Sequence, residues 1–406
     1  MSAHVVEAKI LWSRKNTPHS VKIAERCPKM KVLLVADEFF AWGVYGGFGA
    51  FSRKLAMELV KKGHDVEVII QRFSNQQKPI GETDVLDGIP IIIVPLKKLE
   101  KLRRRQLYKK DVDVLHSQCG EFDTWLTFRE NPHIPRIVTF QDPRSKEELA
   151  LTMPYEKYSS YPWYKALWVK LMFYLYKRAV QSAVVASQAK FKIPLVKEMF
   201  GLDNVSWLPN FVDVPDSLPK KADKPTCLFL GRLDPIKRPD MYCFLPRFFP
   251  NIDFYVLGSS HFSGMNERLR GEFKNVTNLC FMGLDAGRLK QELLDKSWIL
   301  VNTSVYECLP VTFLEAAAHG CAILSCQNPD GFASSFGMHV QPSIESFRTG
   351  LNLLLENDLW RRRGEEAYEH AKQFYSTSVV MDQHIKLYKT VMDEWRMKDE
   401  SVSNNR

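Results

Sequence analysis

The stretch "YECLPVTFLEAAAHG", residues 306–320, places Glu307 and Glu315 eight positions apart in an otherwise apolar run. Glu307 stands three residues before a proline, and Glu315 falls inside an alanine-rich segment with helical composition. A buried, unpaired carboxylate costs several kcal/mol or neutralises by shifting its pKa, on the order of the penalties for any uncompensated buried charge. Each glutamate therefore needs a partner, supplied by the protein or by a ligand. Pro310 suits the first position of a helix, which then runs to His319 before Gly320. Its amino end is expected to point into a cleft, with Glu315 about one and a half turns inside. A carboxylate there can accept both hydroxyls of a ribose. A capping role plus an ion pair to a neighbouring lysine is the plainer reading.

Outward from this run, short apolar segments alternate with helical ones. In the first half, 31–37, 65–70, 89–95, 111–116, 135–140 and 182–187 read as strands, and 205–213 closes the series. Phe51, Leu55 and Leu59 mark one face of an early helix, and Gly63 is its expected stop. A second series begins afresh at 226–231 and continues through 252–258, 276–283, 298–303 and 321–326. Near-continuous apolar strands separated by helices indicate parallel sheets covered on both faces. The fold class is α/β, with two doubly wound, Rossmann-like domains facing across a cleft. Expected boundaries are a leader at 1–29, a first domain at 30–213, a linker at 214–225, a second domain at 226–375, a crossing helix at 376–398 and a flexible tail at 399–406. The leader reads as a flexible extension, a weak targeting peptide or an unused upstream start.

Composition supports a globular chain: of 406 residues, 45% are hydrophobic and 25% charged, neither disordered nor fibrous. No apolar run approaches the roughly 20 residues of a spanning helix, and the N-terminus lacks a signal-peptide core. The expected location is cytoplasmic, with a peripheral position on the inner membrane face kept open. The eight cysteines form no Cys-x-x-Cys pair, so they read as reduced and structural, with no metal site. The formal charge of +9 favours anionic partners in general.

In doubly wound sheets ligands bind beyond the carboxyl ends of the strands. The loop after the first strand, "EFFAWGVYGGFGAF" (38–51), brings Gly46, Gly47 and Gly49 to a helix start, where free N–H groups and the dipole favour an anion. The Gly-x-Gly-x-x-Gly dinucleotide register is absent. After the second domain's first strand, "GRLDPIKRPD" (231–240) supplies Arg232 and Lys237. These suit a diphosphate and can stabilise it as a leaving group. A solvated basic turn is the bland alternative.

Taken together, "YGGFGAFSRKLAMELVKKGHDVEV" (45–68), "VLHSQ" (114–118), "VVASQ" (184–188), "LPNFVD" (208–213), "LFLGRLDPIKRP" (228–239), "FYVLGS" (254–259), "CFMG" (280–283) and "YECLPVTFLEAAAHGCAIL" (306–324) resemble, in order and spacing, the retaining GT-B glycosyltransferases of family four. The resemblance covers nearly all of residues 30–390. It implies transfer of a sugar from a UDP- or GDP-linked donor to a lipid-linked or glycan hydroxyl, with retention and without metal or other cofactor. By the same resemblance Glu315 holds the ribose and Glu307 contacts the sugar. Arg232 and Lys237 bind the diphosphate, with Gly46 and Gly47 close to it. The backbone of Leu309, Pro310, Val311 and Thr312 touches sugar and phosphate, Gly283 lies beside the base, and His116 and Gln118 sit on the sugar side. A sugar-nucleotide epimerase and a non-catalytic nucleotide-sugar-binding protein are the alternatives.

Three positions depart from the family pattern. Gln118 stands where a second histidine is common, so it can hydrogen-bond but carries no charge. Phe211 replaces a usual hinge glycine, and Gln141 precedes Asp142 where histidine is frequent. The Asp111-Val-Asp113 triplet mimics a metal motif of another glycosyltransferase fold but precedes a strand, and reads as a loop. Residues 97–110, with eight basic residues against one acidic, and the aromatic helix 164–178 suit docking on an anionic membrane. A solvated helix and a core helix are the alternatives. No nucleic-acid motif accompanies the charge.

Overall fold

Strand order follows from the two apolar series. The computed structural model describes residues 28–40, 46–72, 79–118, 122–155, 165–285 and 287–403. The leader before residue 28, Cys27, Cys119, Tyr164 and residues 404–406 lie outside the described residues. In the first domain the strands are β1 (Lys31–Ala36), β2 (Asp65–Gln71), β3 (Thr83–Leu86), β4 (Ile89–Val94), β5 (Val114–Ser117), β6 (Arg136–Phe140), β7 (Val184–Ser187) and β8 (Ser206–Trp207). They form one sheet in the order β3-β4-β2-β1-β5-β6-β7-β8. All pairs are parallel except β3 with β4. The second domain holds β9 (Thr226–Leu230), β10 (Asp253–Leu257), β11 (Leu279–Gly283), β12 (Ile299–Asn302), β13 (Ala322–Ser325) and β14 (Gly337–His339), in the parallel order β11-β10-β9-β12-β13-β14. In both sheets the direction of winding reverses at the first strand. The crevice outside β1 and β9 is therefore where loops part and a ligand can enter.

Several expected elements shift. The 111–116 strand begins at Val114, because Asp113 accepts the Lys31 backbone N–H at 2.7 Å and Asp111 pairs with the Lys31 side chain. The aspartates thus lie before the strand, at the sheet end remote from the cleft. Of 205–213 only Ser206–Trp207 is strand. β3 and β14 were not foreseen: Thr83–Leu86 is a half-exposed hairpin arm, and β14 is three residues long.

Each sheet buries apolar residues on both faces. Phe51, Leu55 and Leu59 of the helix Gly47–Lys61 pack on β1, β2 and β4. Gly63, at φ +90°, ends that helix. The last helix, Thr377–Ser403, extends through residues expected to be tail. Its Val380, Met381, Tyr388, Val391 and Met392 join the first domain's core. Each such side chain contributes roughly 1.5–3 kcal/mol on full burial, which explains why the chain returns to the first domain. A bridge between Val212 and Ser376 ties the two crossings together.

Candidate active site

Two helix starts face each other across the crevice. Gly46 is extended (φ −142°) and hands the chain to the helix Gly47–Lys61. Opposite it the helix Val311–Ala318 begins, with Pro310 as its cap rather than its first residue. A Cβ placed on Gly47 would stand 3.9 Å from Val311 Cγ2. Neither helix carries an acidic residue in its first turn. At the Gly47 helix the Gly49 N–H is taken by the Glu38 carboxyl, while no side chain caps the Val311 helix. The remaining first-turn N–H groups and the dipole ends are left for an anion.

The turn after β9 holds the cations. Gly231 (φ +155°) bends the chain off the strand, and Arg238 adopts a left-handed conformation (φ +45°). That conformation lets the Arg238 guanidinium donate to the carbonyls of Thr303 and Ser304. Asp234 is buried and organises the turn. Its Oδ1 accepts from Ser260 Oγ and the His261 N–H at 2.9 Å each, while Oδ2 lies 3.1 Å from Arg232. Arg232 Nη1 also stands 3.3 Å from His261 Nδ1. The guanidinium thus remains partly exposed in the cleft yet is held in direction.

The loop after β12 supplies the carboxylates. Glu307 Oε1 accepts from Lys237 Nζ at 2.6 Å, Ser304 Oγ at 2.6 Å and Asn302 Nδ2 at 3.0 Å. Burial alone would raise its pKa, but the Lys237 charge and these hydrogen bonds outweigh it and hold the carboxyl below its ordinary value. Glu315 pairs with Lys290 at 2.6 Å and is about one-fifth exposed, so the lysine partner of the plainer reading exists in a position that still lines the cleft. Tyr306, one residue before Glu307, donates to Asp142 Oδ1 of the first domain at 2.9 Å. Asp142 also binds Arg144 at 2.7 Å, and the Arg144 guanidinium lies over the Tyr306 ring.

These groups line a cavity of 530 Å³ between the domains, a size that suits a small organic ligand. Gly46, Gly47, Arg232, Lys237, Glu307, Leu309, Pro310, Val311, Thr312 and Glu315 all border it. Three expected residues do not. His116 is fully buried between Tyr388 Oη at 2.7 Å and Thr139 Oγ1 at 2.8 Å. Burial and the neighbouring His384 keep its pKa far down, so it stays neutral beneath the cleft floor. Gln118 stands 2.9 Å from His116 Nε2 and accepts from Gln141 at 2.6 Å. Gly283 ends β11 and accepts the Gly258 N–H, while Leu284 and Asp285 border the cavity instead. Sequence reasoning passed over Glu38, Arg144, Asp234, His261, Lys290 and Tyr306, and named Asp142 only beside Gln141. The strand-end position of Glu38 and of Asp142 was the available signal.

The basic stretch 97–110 is not one solvated face. It forms the helix Lys98–Arg103 and a 3-10 turn Arg105–Tyr108, and Lys101 turns inward to a buried pair with Asp123. Leu96 and Leu99 remain exposed. In the helix Lys165–Gln181, Tyr176, Ala179 and Val180 enter the core, whereas Leu171, Phe173 and Tyr174 face outward. Among the described residues no helix is long and apolar enough to cross a membrane.

With this geometry, residues 213–373 match the family described as glycosyl transferases group 1, and residues 31–141 match the starch synthase catalytic domain. The chain is similar to phosphatidyl-myo-inositol mannosyltransferases of Mycobacterium tuberculosis and Mycobacterium bovis, 28% identical over 219 residues. That match covers 48% of this chain and only 56% of those curated relatives. Among solved structures, a sucrose-phosphate synthase from Thermosynechococcus elongatus superposes with TM-score 0.69 at 14% identity, over 90% of this chain and 100% of that one. Anabaena HepE in complex with UDP and glucose gives 0.66 at 13%, over 89% and 99%. WaaG, a glycosyltransferase involved in lipopolysaccharide biosynthesis, gives 0.63 at 15%, over 88% and 99%. At such identities the likeness is one of fold, the two-domain GT-B architecture.

Proposed function

We infer that this chain, a GT-B protein whose second domain belongs to the group 1 glycosyl transferases, moves a sugar from a nucleoside-diphosphate donor to a hydroxyl of a lipid-linked or glycan acceptor. One observation carries the reading: Arg232, the Lys237–Glu307 pair, Glu315 and the amino ends of two helices converge on a single interdomain cavity.

In this reading Glu315 accepts the ribose hydroxyls, and its pair with Lys290 fixes the carboxylate for that task. The diphosphate lies between the start of the helix at Gly47 and the Arg232–Lys237 turn. When the bond from the sugar's anomeric carbon to the phosphate oxygen breaks, negative charge grows on the leaving group. Fixed cations and helix starts oriented beforehand stabilise that charge without reorganisation. They do so without a metal ion. The acceptor oxygen attacks from the same face, and its proton passes to the departing phosphate, so configuration is retained. Glu307, anchored through Oε1, holds the sugar against the cleft wall.

The acceptor side belongs to the first domain. Exposed Leu171, Phe173 and Tyr174, with basic residues nearby in sequence, support contact with an anionic lipid surface. Release of free nucleoside diphosphate from UDP-, GDP- and ADP-sugars, with and without lipid or glycan acceptors, tests the function. A cleft that binds donor but never turns it over would instead identify a nucleotide-sugar-binding protein.

A further inference from the structure

The loop after β1 is shaped around a carboxylate. A Cβ on Gly46 would stand 2.3 Å from Glu38 Oε2, and one on Gly49 would stand 3.1 Å from Glu38 Cβ. Two glycines that read as a phosphate loop thus also make room for this side chain. Glu38 borders the interdomain cavity, yet its Oε2 is buried and has no hydrogen-bond partner among the described residues. A buried acceptor left unpaired is costly, and native structures retain few of them without a reason.

The surroundings indicate which kind of donor suits this oxygen. Burial pushes the Glu38 carboxyl up from its ordinary value, and the charge of Arg232, the Gly49 N–H and His261 offset this only in part. Arg232 and His261 belong to the loops after β9 and β10, so Glu38 faces the second domain across the cleft. A carboxylate there repels the phosphates themselves. A neutral O–H adjoining them is its complement.

We propose that Glu38 hydrogen-bonds a hydroxyl of the transferred sugar and thereby helps select which sugar is accepted. This rests on the reading that the cleft holds a nucleotide sugar. A sugar hydroxyl would supply the donor that Oε2 lacks among the described residues. A site built to bond a hydroxyl discriminates against ligands lacking it.

Calorimetric titration of wild type and Glu38→Gln with UDP, GDP and ADP, each beside its glucose or mannose conjugate, tests the assignment. Thermal unfolding of both free proteins accompanies it. The expected result is unchanged affinity for the bare nucleotide, about a tenfold loss for the nucleotide sugar, and a variant at least as heat-stable as wild type. Equal sugar affinity in the two proteins overturns the inference while leaving the proposed function standing. So does an equal loss for nucleotide and nucleotide sugar, which would make Glu38 a support of the phosphate loop. A wild type that binds none of these ligands overturns both.

Discussion

The Tyr306 hydroxyl reaches across the domain boundary to Asp142, 2.9 Å away, from the position immediately before Glu307. The loop bearing the buried glutamate is therefore tethered to the first domain, and Arg144 lies against the tether on the same side. The position of the Glu307 loop is thereby referred to the first domain through this contact.

Removing the hydroxyl tests the link. Tyr306→Phe should cost about 0.5–1.5 kcal/mol in unfolding free energy, since Asp142 keeps Arg144. Turnover should fall by more than that energy accounts for, because the Glu307 loop loses its reference. Equal, small effects on both would reduce the contact to packing.

Arg232→Ala should lower turnover by roughly two to three orders of magnitude, as loss of one transition-state donor does. Glu315→Ala should instead weaken donor binding, and it also leaves Lys290 unpaired. Steady-state kinetics with a nucleotide titration separates the two. Near-wild-type behaviour of both variants would remove the site assignment.

Gly46→Ala should displace the Glu38 carboxylate rather than the backbone, because the new methyl meets only that carboxylate, at 2.3 Å from Oε2. It should cost roughly 1 kcal/mol or less, the low end of overpacking. Gly46→Ala combined with Glu38→Ala should recover most of it. Melting temperatures of the double-mutant cycle decide, and additivity of the two changes would contradict the clash.

Acid should first loosen the crossing helix. Burial holds His384 at about 4 and His116 far below the ordinary 6.5. The unfolded chain takes up these protons below about pH 6.5 while the folded one refuses them, so stability declines as pH falls from there toward 4. For His384 alone that is about 3 kcal/mol. Glu307 has the same sign in a lower window. Its depressed carboxyl contributes stability above its ordinary 4.5, and loses it as pH falls through the folded value. Urea unfolding of His384→Phe between pH 7 and 4 should show a flatter decline than wild type; parallel curves would exclude the histidine.

Flotation with vesicles containing anionic lipid examines the acceptor side. Leu171→Ser/Phe173→Ser/Tyr174→Ser should abolish flotation without altering nucleotide binding. Persistence of flotation would locate any lipid contact elsewhere.

The alternating apolar runs determined two sheets that are parallel but for the β3 edge, because a strand covered on both faces must be apolar throughout. Strand-end loops then located Arg232, Lys237, Glu307 and Glu315, since chemistry in this architecture gathers there. Sequence could not assign partners. Lys237 pairs with a glutamate 70 positions away and His116 with a tyrosine 272 away. His116 lies near the end of β5 and Gln118 just after it, at the same sheet end as the site residues, yet Thr139, Gln141 and the returning helix enclose them. Lys101, one cation in a basic run, turns inward because Asp123 waits there. Local pattern specifies which face a residue takes and where an element stops. Whether a polar side chain meets a ligand, a counter-ion or another domain depends on contacts between distant segments, and those exist only once the chain has folded.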